Sequence, residues 1–318
     1  MKATLVTSPG GPEVLHLADV ALPAVGAHDA VMRITAAGVN RADILQRQGR
    51  YPAPAGAPAW PGLEAAGVLE ATPASSPWHP GDRVCALLPG GGYAERAVVD
   101  ASLLLPVPDG VFDVEAASLV EACCTVVSNL DAAGARAGET LLVHGGSGGV
   151  GTAAIQIAKA RGMRVIATAG GAERAARCAA LGADVALDHR SGWQDEVAAL
   201  GGADVILDVV GAAYLGANVA ALRTGGRLVV IGMQKGARGE LDLGALVAKR
   251  ATVMGTTLRA RPLVERAAIV ARVHEEVWPL IPRRVRPVIH ATFPLARASD
   301  AHRALESGEV FGKVVLTV

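Results

Sequence analysis

Residues 139–168 read ETLLVHGGSGGVGTAAIQIAKARGMRVIAT. An apolar run leads into a glycine-rich turn, a helix-forming segment leaves it, and a second apolar run follows, so the pattern is strand, loop, helix and strand. The turn contains Gly146, Gly148 and Gly151 in the spacing G-x-G-x-x-G. In such a loop the first glycine permits a tight turn, the second lets a pyrophosphate approach the backbone, and the third lets helix and strand pack closely. The sequence therefore predicts that N–H groups at the start of a helix bind a dinucleotide, with an ordinary glycine-rich turn as the alternative.

The end of the second predicted strand indicates which dinucleotide binds. Sites that prefer NAD usually have Asp or Glu there, which holds the ribose diol. This strand ends at residues 168–171 without a carboxylate, and the next charged residues are Glu173 and Arg174. The Arg174 guanidinium can pair with a ribose phosphate, whereas Glu173 would repel that phosphate unless it points to solvent in the first helical turn. The pattern favours NADPH, with NADH as the alternative.

Composition limits the classes of protein to which the chain can belong. It has 318 residues, 51% hydrophobic and 3% aromatic, enough for two domains with cores rich in Ala and Val. Mean hydropathy is +0.35, yet Gly or charged residues interrupt every apolar run before it could span a membrane. Residues 1–6 predict an edge strand and not a signal peptide. Lys plus Arg and Asp plus Glu are equal at 30, so no basic field exists for nucleic acid or anionic lipid.

The cysteines indicate a reducing environment. The chain has four, none in the spacing of a disulfide framework, and the adjacent pair cannot easily bridge: Cys85, Cys123, Cys124 and Cys178. This usage is typical of buried thiols in the cytoplasm. We therefore expect a cytoplasmic protein.

The pattern of the chain changes near residue 110. Before it, short apolar runs between Pro and Gly predict a small barrel or sandwich with one helix at 41–48, and beyond it helical and strand patterns alternate, which predicts a doubly wound parallel sheet of the α/β class. The predicted strands of the first region are 15–20, 30–35, 67–71, 83–88 and 93–99. Those of the second are 141–144, 164–168, 184–187, 203–209, 226–231 and 251–256, with helices at 114–133, 149–161, 173–181, 193–199 and 213–222. The last elements, 263–277, 288–293, 296–306 and 313–318, resemble the first region again, so we expect the chain to return to it.

Several short motifs occur together along the chain. They are AGVNRAD at 37–43, PGLEAAG at 61–67, PGDRV at 80–84, the glycine loop at 145–151, GGRLV at 225–229 and GKVVL at 312–316. Together they resemble the medium-chain dehydrogenase/reductase superfamily over essentially the whole chain, and within it the zinc-free quinone oxidoreductases of the zeta-crystallin group. The segments NRAD, QRQG and LLPGGG at 40–43, 46–49 and 87–92, with Tyr51, are similar to the branch of tumour-suppressor-inducible NADPH quinone oxidoreductases.

The resemblance implies a fold and an activity. It implies a GroES-like β-barrel catalytic domain at 1–120, completed by 261–318, and a Rossmann dinucleotide-binding domain at 121–260. The implied activity is NADPH-dependent reduction of quinones in a homodimer whose subunits pair through the strand at 251–256. Reduction of an enone or 2-alkenal is the enzymatic alternative. A nucleic-acid-binding or crystallin-like protein is the non-enzymatic one, although zero net charge and few aromatic residues argue against nucleic acid.

The family resemblance also bears on metal binding. Zinc-dependent relatives hold a catalytic ion with a Cys, a His-Glu pair and a second Cys, and the matching positions here are Asn40, residues 63–64 and, approximately, Glu121. A zinc site of this type needs three protein ligands and a water, so we predict no metal. We interpret Cys123 and Cys124 as small residues on a helix that faces the core.

The resemblance places Asn40 and Tyr51 in the substrate site, where an amide N–H or a phenol O–H can donate to a carbonyl oxygen. Asn40 can equally cap the helix at 41–48, and Tyr51 can simply anchor its loop. Arg41 and Asp43 are interpreted as surface charges of that helix. The proton donor is left open between water and Tyr51.

For the cofactor, the resemblance implies contacts from the loop, from the ends of later strands and from the C-terminal segment. Arg174 matches a family Lys and keeps its charge, whereas Gly171 replaces a Ser and His189 a Tyr at the adenosine phosphate. Asn40 and Thr125 are implied on the nicotinamide side, and Lys313 has the alternative role of simply beginning a strand. The remaining implied contacts are Gly146, Ser147, Gly148, Gly149, Val150, Gly151, Val210, Gly211, Gly232, Met233 and Phe311.

Overall fold

A computed structural model describes all 318 residues, and the chain separates into two compact units. The barrel unit comprises Met1–Cys124 and Arg259–Val318, and the Rossmann unit comprises Thr125–Leu258. No helix combines the length and the apolar character that crossing a bilayer requires.

Residues 1–132 contain seven strands and three α-helices. The strands are β1 (Lys2–Val6), β2 (Leu15–Asp19), β3 (Asp29–Val39), β4 (Glu64–Ala71), β5 (Arg83–Leu87), β6 (Arg96–Asp100) and β7 (Leu104–Pro106). The helices are α1 (Arg41–Arg47), α2 (Asp113–Ala116) and α3 (Val120–Ala132). β1 and β2 form a two-stranded antiparallel sheet.

Strands and helices then alternate. The order is β8 (Thr140–His144), α4 (Gly149–Ala160), β9 (Arg164–Ala169), α5 (Ala172–Ala180), β10 (Val185–Asp188), α6 (Trp193–Ala199), β11 (Ala203–Asp208), α7 (Leu215–Ala221), β12 (Leu222–Val230), α8 (Leu243–Lys249) and β13 (Thr252–Gly255). All six strands are parallel, in the order β10-β9-β8-β11-β12-β13. The order reverses between β8 and β11, and open α/β sheets bind ligands at the carboxyl ends of strands at such a point.

The parallel strands carry nearly continuous apolar runs because helices cover both faces of the sheet. Leu142, Ile166, Ile206 and Leu228 are buried in one cluster with the fully enclosed Trp193. The prediction of a doubly wound sheet is therefore confirmed, and β13 lies at its edge as expected.

The chain then returns to the barrel unit. Its last elements are α9 (Leu263–Glu276), β14 (Ile289–Pro294), α10 (Ala298–Glu306) and β15 (Lys313–Thr317). β15 inserts between β14 and β3 in a sheet of order β14-β15-β3-β4-β5-β7, and β6 pairs with β3. Val314 lies opposite Val39 and Ala37 lies opposite Ala65. This register places the end of β3, the start of β4 and the start of β15 side by side.

Several predicted elements have different bounds in the structure. The helix expected at 114–133 is interrupted after α2, where Ser118 Oγ donates to the Glu115 carbonyl at 2.6 Å and competes with helical bonding. β3 continues beyond residue 35 through small residues that show no strand pattern. β12 begins at Leu222, before the Gly pair. β7 and α8 were missed because β7 is short and ends in a Pro, and α8 contains a Gly.

Candidate active site

The glycine loop lies at the carboxyl end of β8, where the sequence predicts it. Gly145 is left-handed, with φ of 71°, and the Gly146 N–H donates to the Thr168 carbonyl at 2.8 Å. α4 begins at Gly149 with Gly148 as its N-cap. A Cβ on Gly151 would lie 2.1 Å from the Gly145 carbonyl oxygen, so α4 packs directly on the turn.

The first glycine of the motif has a different role from the one predicted. The left-handed residue of the turn is Gly145, which precedes the motif. Gly146 is needed for packing, because a Cβ there would lie 3.0 Å from Ala167 Cβ and 3.2 Å from Cys178 Sγ. At Gly148 a Cβ would meet nothing nearer than 3.5 Å, so this side of the loop has room for a phosphate.

The other loop residues lie in the first turn of α4 or just before it. Ser147, Gly149 and Val150 are half-buried there. The start of α4 therefore presents backbone N–H groups at the positive end of a 12-residue helix, the geometry that suits a pyrophosphate. The loop fits a dinucleotide on this observation.

The residues predicted for the adenosine phosphate meet at the end of β9. Arg174 Nε donates to the Gly170 carbonyl at 2.6 Å. A Cβ placed on Gly170 would lie 3.1 Å from Arg174 Nη2 and 3.5 Å from His189 Nε2, so the two basic side chains share one corner. Gly171 is left-handed, with φ of 91° and open space where a side chain would be. The corner can take an anionic group.

The sequence interpretation missed a carboxylate at this corner. Asp188 Oδ1 accepts from the N–H groups of Gly171 at 3.0 Å and Arg190 at 3.1 Å. The Gly171 bond is the main reason why the pKa of Asp188 lies below its usual value. These two bonds through Oδ1 fix the backbone after β9 and after β10.

The residues after β11 and β12 form an interlocked pair of loops. The carboxylate of Asp208 accepts from the N–H groups of Val210 at 2.7 Å and Gly211 at 3.0 Å. Burial raises the pKa of Asp208, and these two bonds oppose the rise. A Cβ on Gly232 would lie 2.8 Å from the Val209 carbonyl oxygen. The neighbouring Met233 is 58% exposed, so it is available to a ligand.

In the barrel unit, three side chains form a buried polar cluster. Asn40, Glu64 and Lys313 come from the ends of β3, β4 and β15, which the sheet register brings together. Lys313 Nζ donates to Glu64 Oε1 and to Asn40 Oδ1, each at 2.5 Å, and Asn40 Nδ2 donates to Glu64 Oε1 at 3.0 Å. Lys313 therefore begins a strand and is also a functional candidate. Sequence reasoning missed its pairing with Glu64, although both lie in the quoted motifs.

Asn40 is also the N-cap of α1, as one of its two alternatives predicted, and its role in the substrate site stays a prediction. The cap is completed by Asp43, whose Oδ2 accepts from the Asn40 N–H at 2.8 Å and whose Oδ1 accepts from the Gly62 N–H at 2.9 Å. The interpretation of Asp43 as a surface charge is wrong, because the residue is fully buried. Burial raises its pKa to about 6, while the two backbone bonds and the charge of Lys313 lower it.

A chain of buried side chains leads from Asp43 towards the surface. Tyr93 Oη lies 3.4 Å from Asp43 Oδ2 and 3.0 Å from His302 Nε2. Arg47 donates to His302 Nδ1 at 3.3 Å and forms a two-bond pair with Glu306 at 2.8 and 2.9 Å. Because a guanidinium only donates, His302 carries its hydrogen on Nε2. Burial lowers the pKa of His302 to about 3, so it is neutral.

Tyr51 lies in a loop that Arg259 holds. The Arg259 guanidinium lies 5.3 Å from the centre of the Tyr51 ring and donates to the Tyr51 carbonyl at 3.4 Å. It also donates to Pro89 and Gln46 oxygens at 2.6 and 2.7 Å. Arg259 was not predicted from the sequence, because nothing in the pattern around it links it to residue 51.

The remaining candidates are buried side chains. Thr125 lies in α3, and Phe311 is 2% exposed just before β15. Cys123 and Cys124 are fully buried, which confirms their interpretation as core residues, and burial raises the pKa of both thiols. No group of three His, Cys, Asp or Glu side chains is placed to hold a metal ion.

Sequence comparison identifies the family. Residues 26–109 match the alcohol dehydrogenase GroES-like domain, and residues 149–272 match the zinc-binding dehydrogenase family. The quinone oxidoreductases of rat and human are 34% and 32% identical to this chain, over 99% of it and 97% of each relative. The chain belongs to the quinone oxidoreductase family of medium-chain dehydrogenase/reductases.

Solved structures of quinone oxidoreductases have the same fold. The enzyme from Thermus thermophilus, whose complex with NADPH has been solved, matches with a TM-score of 0.86 at 35% identity, over 100% of both chains. Escherichia coli quinone oxidoreductase complexed with NADPH matches with a TM-score of 0.89 at 26% identity, again over 100% of both. The predicted combination of a Rossmann sheet and a GroES-like domain is confirmed.

Proposed function

We propose that this protein reduces quinones with NADPH. The observation that carries the proposal is the glycine loop, whose open side at Gly148 and close packing at Gly151 suit a pyrophosphate. The chain also matches quinone oxidoreductases over almost its full length. NADPH supplies the hydride when it is bound. The protein binds and orients the reactants and excludes water.

Residues of the Rossmann unit would hold the cofactor. The N–H groups of Ser147 to Val150 bind the pyrophosphate, while Arg174 and His189 bind the adenosine phosphate. The preference for NADPH over NADH rests on this corner, which has two basic side chains. Within this unit we assign the nicotinamide end to Thr125, Val210, Gly211, Gly232 and Met233. In the barrel unit, Asn40, Phe311 and Lys313 are the proposed cofactor contacts.

Residues of the barrel unit would hold the quinone. Asn40 and Tyr51 donate hydrogen bonds to its carbonyl oxygens. A quinone delocalises the incoming charge onto its own oxygens, so the reaction proceeds without a Lewis acid from the protein. Buried polar donors at a developing oxyanion are among the strongest contributions a site can make.

An assay of NADPH oxidation tests the activity. The purified protein is incubated with NADPH and a panel of ortho- and para-quinones, and in parallel with 2-alkenals, after treatment with a chelator and metal analysis. We expect turnover with quinones and no loss on metal removal. Turnover with alkenals alone would support the enone reductase alternative and reject the proposal.

We also propose a cytoplasmic homodimer. All four cysteines are free and buried, as suits a reducing compartment. β13 is an edge strand whose unpaired backbone groups can pair with the same strand of a second copy. Sedimentation equilibrium at micromolar concentration should give twice the chain mass, and a monomer would reject the dimer.

A further inference from the structure

The Asp43 carboxylate holds the backbone of the two segments that carry Asn40 and Glu64. Its Oδ2 accepts from the Asn40 N–H at 2.8 Å, and its Oδ1 accepts from the Gly62 N–H at 2.9 Å. Asn40 directly follows β3, and Gly62 lies two residues before Glu64, which begins β4. One carboxylate therefore sets the spacing between Asn40 and the segment that leads to its partner Glu64.

The third group at this carboxylate is the Tyr93 hydroxyl, whose hydrogen can point in only one direction. Tyr93 Oη has two hydrogen-bonding neighbours, Asp43 Oδ2 at 3.4 Å and His302 Nε2 at 3.0 Å. Because Arg47 donates to His302 Nδ1, the hydrogen of His302 lies on Nε2 and points to Tyr93. The hydroxyl hydrogen must then point to Asp43. Burial and the Asp43 charge raise the pKa of Tyr93 well above its usual value, so the hydroxyl keeps this hydrogen.

The hydrogens around Asp43 therefore all point towards its carboxylate. A proton added to Asp43 would need an acceptor, and among the groups bonded to it only Tyr93 Oη has a lone pair. If Asp43 donated to that lone pair, the tyrosine hydrogen would have no acceptor, since His302 Nε2 already carries a hydrogen. Asp43, Tyr93 and His302 are each fully buried, so the unpaired hydrogen would remain away from solvent and would cost free energy. The network fits the ionised carboxylate.

The charged side chains that act on this network come from four different segments of the barrel unit: Arg47, Glu64, Arg259 and Lys313. Burial raises the pKa of Asp43 to about 6, although the two backbone bonds and the charges of Lys313 and Arg259 lower it. Asp43 is therefore mainly ionised at pH 7 and takes up a proton as the pH falls through about 6.

We propose that Asp43 and Tyr93 are positioning residues for quinone binding: the ionised carboxylate holds the Asn40 backbone, and the Tyr93 hydroxyl favours its ionised form through a hydrogen bond that cannot reverse. Protonation of Asp43 leaves one hydrogen of the network unpaired, so the network rearranges and the Asn40 amide moves away from the position in which it meets the quinone oxygen. Neither residue is among the proposed quinone contacts, and both act through Asn40. The inference rests on the proposed function, in which Asn40 donates to the quinone.

Calorimetric titration with a para-quinone, without cofactor and between pH 8.5 and pH 5, tests this inference. In wild type the affinity should be constant above pH 7 and about 10-fold lower at pH 5, where Asp43 is protonated. Tyr93→Phe removes a donor to the carboxylate, which should move the midpoint up by about one pH unit and bring the ~10-fold loss to pH 6. At pH 8.5 its affinity should stay within roughly 3-fold of wild type, because both backbone donors remain.

A second variant and a matched control complete the experiment. Asp43→Asn has an amide that takes up no proton in this range, so its quinone affinity should be about 10-fold lower at pH 8.5 and should not change with pH. This variant decides the question if Tyr93→Phe does not fold. Thr4→Val is the control, because it also removes a buried hydroxyl of the barrel unit, one that donates to the Leu295 carbonyl at 3.4 Å. It should keep the wild-type midpoint.

The outcomes separate this inference from the proposed function. A merely structural role for Tyr93 would lower the quinone affinity equally at every pH and leave the midpoint unchanged, and that result overturns the inference alone. Quinone-dependent NADPH oxidation by a wild type whose quinone affinity is the same at pH 8.5 and pH 5 does the same. A wild-type protein that binds no quinone and oxidises no NADPH in its presence overturns both.

Discussion

The candidate sites of the two units consist of different groups of the polypeptide, backbone in one and side chains in the other. In the Rossmann unit the site is backbone: Gly145 supplies the turn, Gly148 the open side and Gly151 the close approach of a helix. In the barrel unit it is side chain: Asn40, Glu64 and Lys313 bond to one another with almost no exposure to solvent. The backbone site tolerates no added atom at its close approach, Gly151, whereas the side-chain site tolerates no lost partner.

This difference predicts how each site fails. Adding a methyl group at Gly151 should damage the glycine loop, because the space there is already filled by other main-chain atoms. Removing one charged group should damage the polar cluster, because its partner is left buried and unpaired. The four predictions below test that contrast.

The largest effect is expected in the polar cluster. Lys313→Met leaves the Glu64 carboxylate buried without its cation, which should cost about 3–5 kcal/mol of unfolding free energy. The double variant Glu64→Gln, Lys313→Met should recover part of this loss, because no charge is left uncompensated. Urea unfolding followed by circular dichroism measures both. A double variant less stable than the single one would contradict the account of the ion pair.

Gly151→Ala should produce the next largest effect. Its Cβ would lie 2.1 Å from the Gly145 carbonyl oxygen, so helix α4 must shift away from the turn. Overpacking of this kind costs up to about 3 kcal/mol, and NADPH binding should weaken with it. Gly216→Ala in α7 is the control: a Cβ there meets nothing within 4 Å, so stability should be unchanged or rise by up to about 1 kcal/mol. Thermal melts and NADPH fluorescence titration distinguish the two variants.

Arg174→Ala tests the assignment of the phosphate corner. Loss of a charged hydrogen-bonding partner should cost about 1.5–3 kcal/mol in NADPH binding and little in NADH binding. Arg177→Ala, on the same helix, is the matched control and should change neither. Equal losses for NADPH and NADH in Arg174→Ala would show that Arg174 does not bind the adenosine phosphate. The preference for NADPH would then no longer be explained by this residue.

The smallest effect concerns pH and the buried His144. Burial lowers its pKa to about 4 from the usual 6.5, although a hydrogen bond with Asn218 opposes this. The folded protein therefore takes up this proton less readily than the unfolded chain, so the stability is complete above pH 6.5 and is lost as pH falls towards 4. Between pH 7 and pH 5 the loss should be about 2 kcal/mol relative to His144→Gln.

The control for the pH experiment is the exposed His290. His290→Gln should run parallel to wild type across the same range of pH. A His144→Gln variant whose stability falls with acid as steeply as that of wild type would show that other groups govern the pH dependence.

The contrast between the units also explains what the sequence could and could not predict. Glycine spacing encodes backbone geometry locally, so the loop at 145–151 and its flanking elements could be predicted from a single stretch of chain. Even there, the left-handed residue was placed one position late. The end of β9 was predicted as well, because Gly171 and Arg174 lie just beyond it, although Asp188 from β10 was missed.

The polar cluster was harder to predict from the sequence. Asn40 and Lys313 are 273 residues apart, and only the pairing of β3 with β15 brings them together. Asp43 looked like a helix surface charge because its spacing within α1 says nothing about the strands that cover it. The family resemblance named Asn40 and Lys313 separately, and the structure supplied the carboxylate that joins them.

The position of β15 has a consequence for how the protein is made. This strand lies between β14 and β3, and β6 pairs with only the first half of the same edge of β3, so Ala36–Val39 lack a neighbour on that side until residues 313–317 have been synthesised. At a translation rate of about 5–20 residues per second, the 273 residues from Asn40 to Lys313 take roughly 14–55 seconds. During that time the nascent chain exposes an open strand edge beside a carboxylate with no counter-ion. The Rossmann unit is complete at Leu258, whereas the sheet of the barrel unit can close only when its last strand has been synthesised.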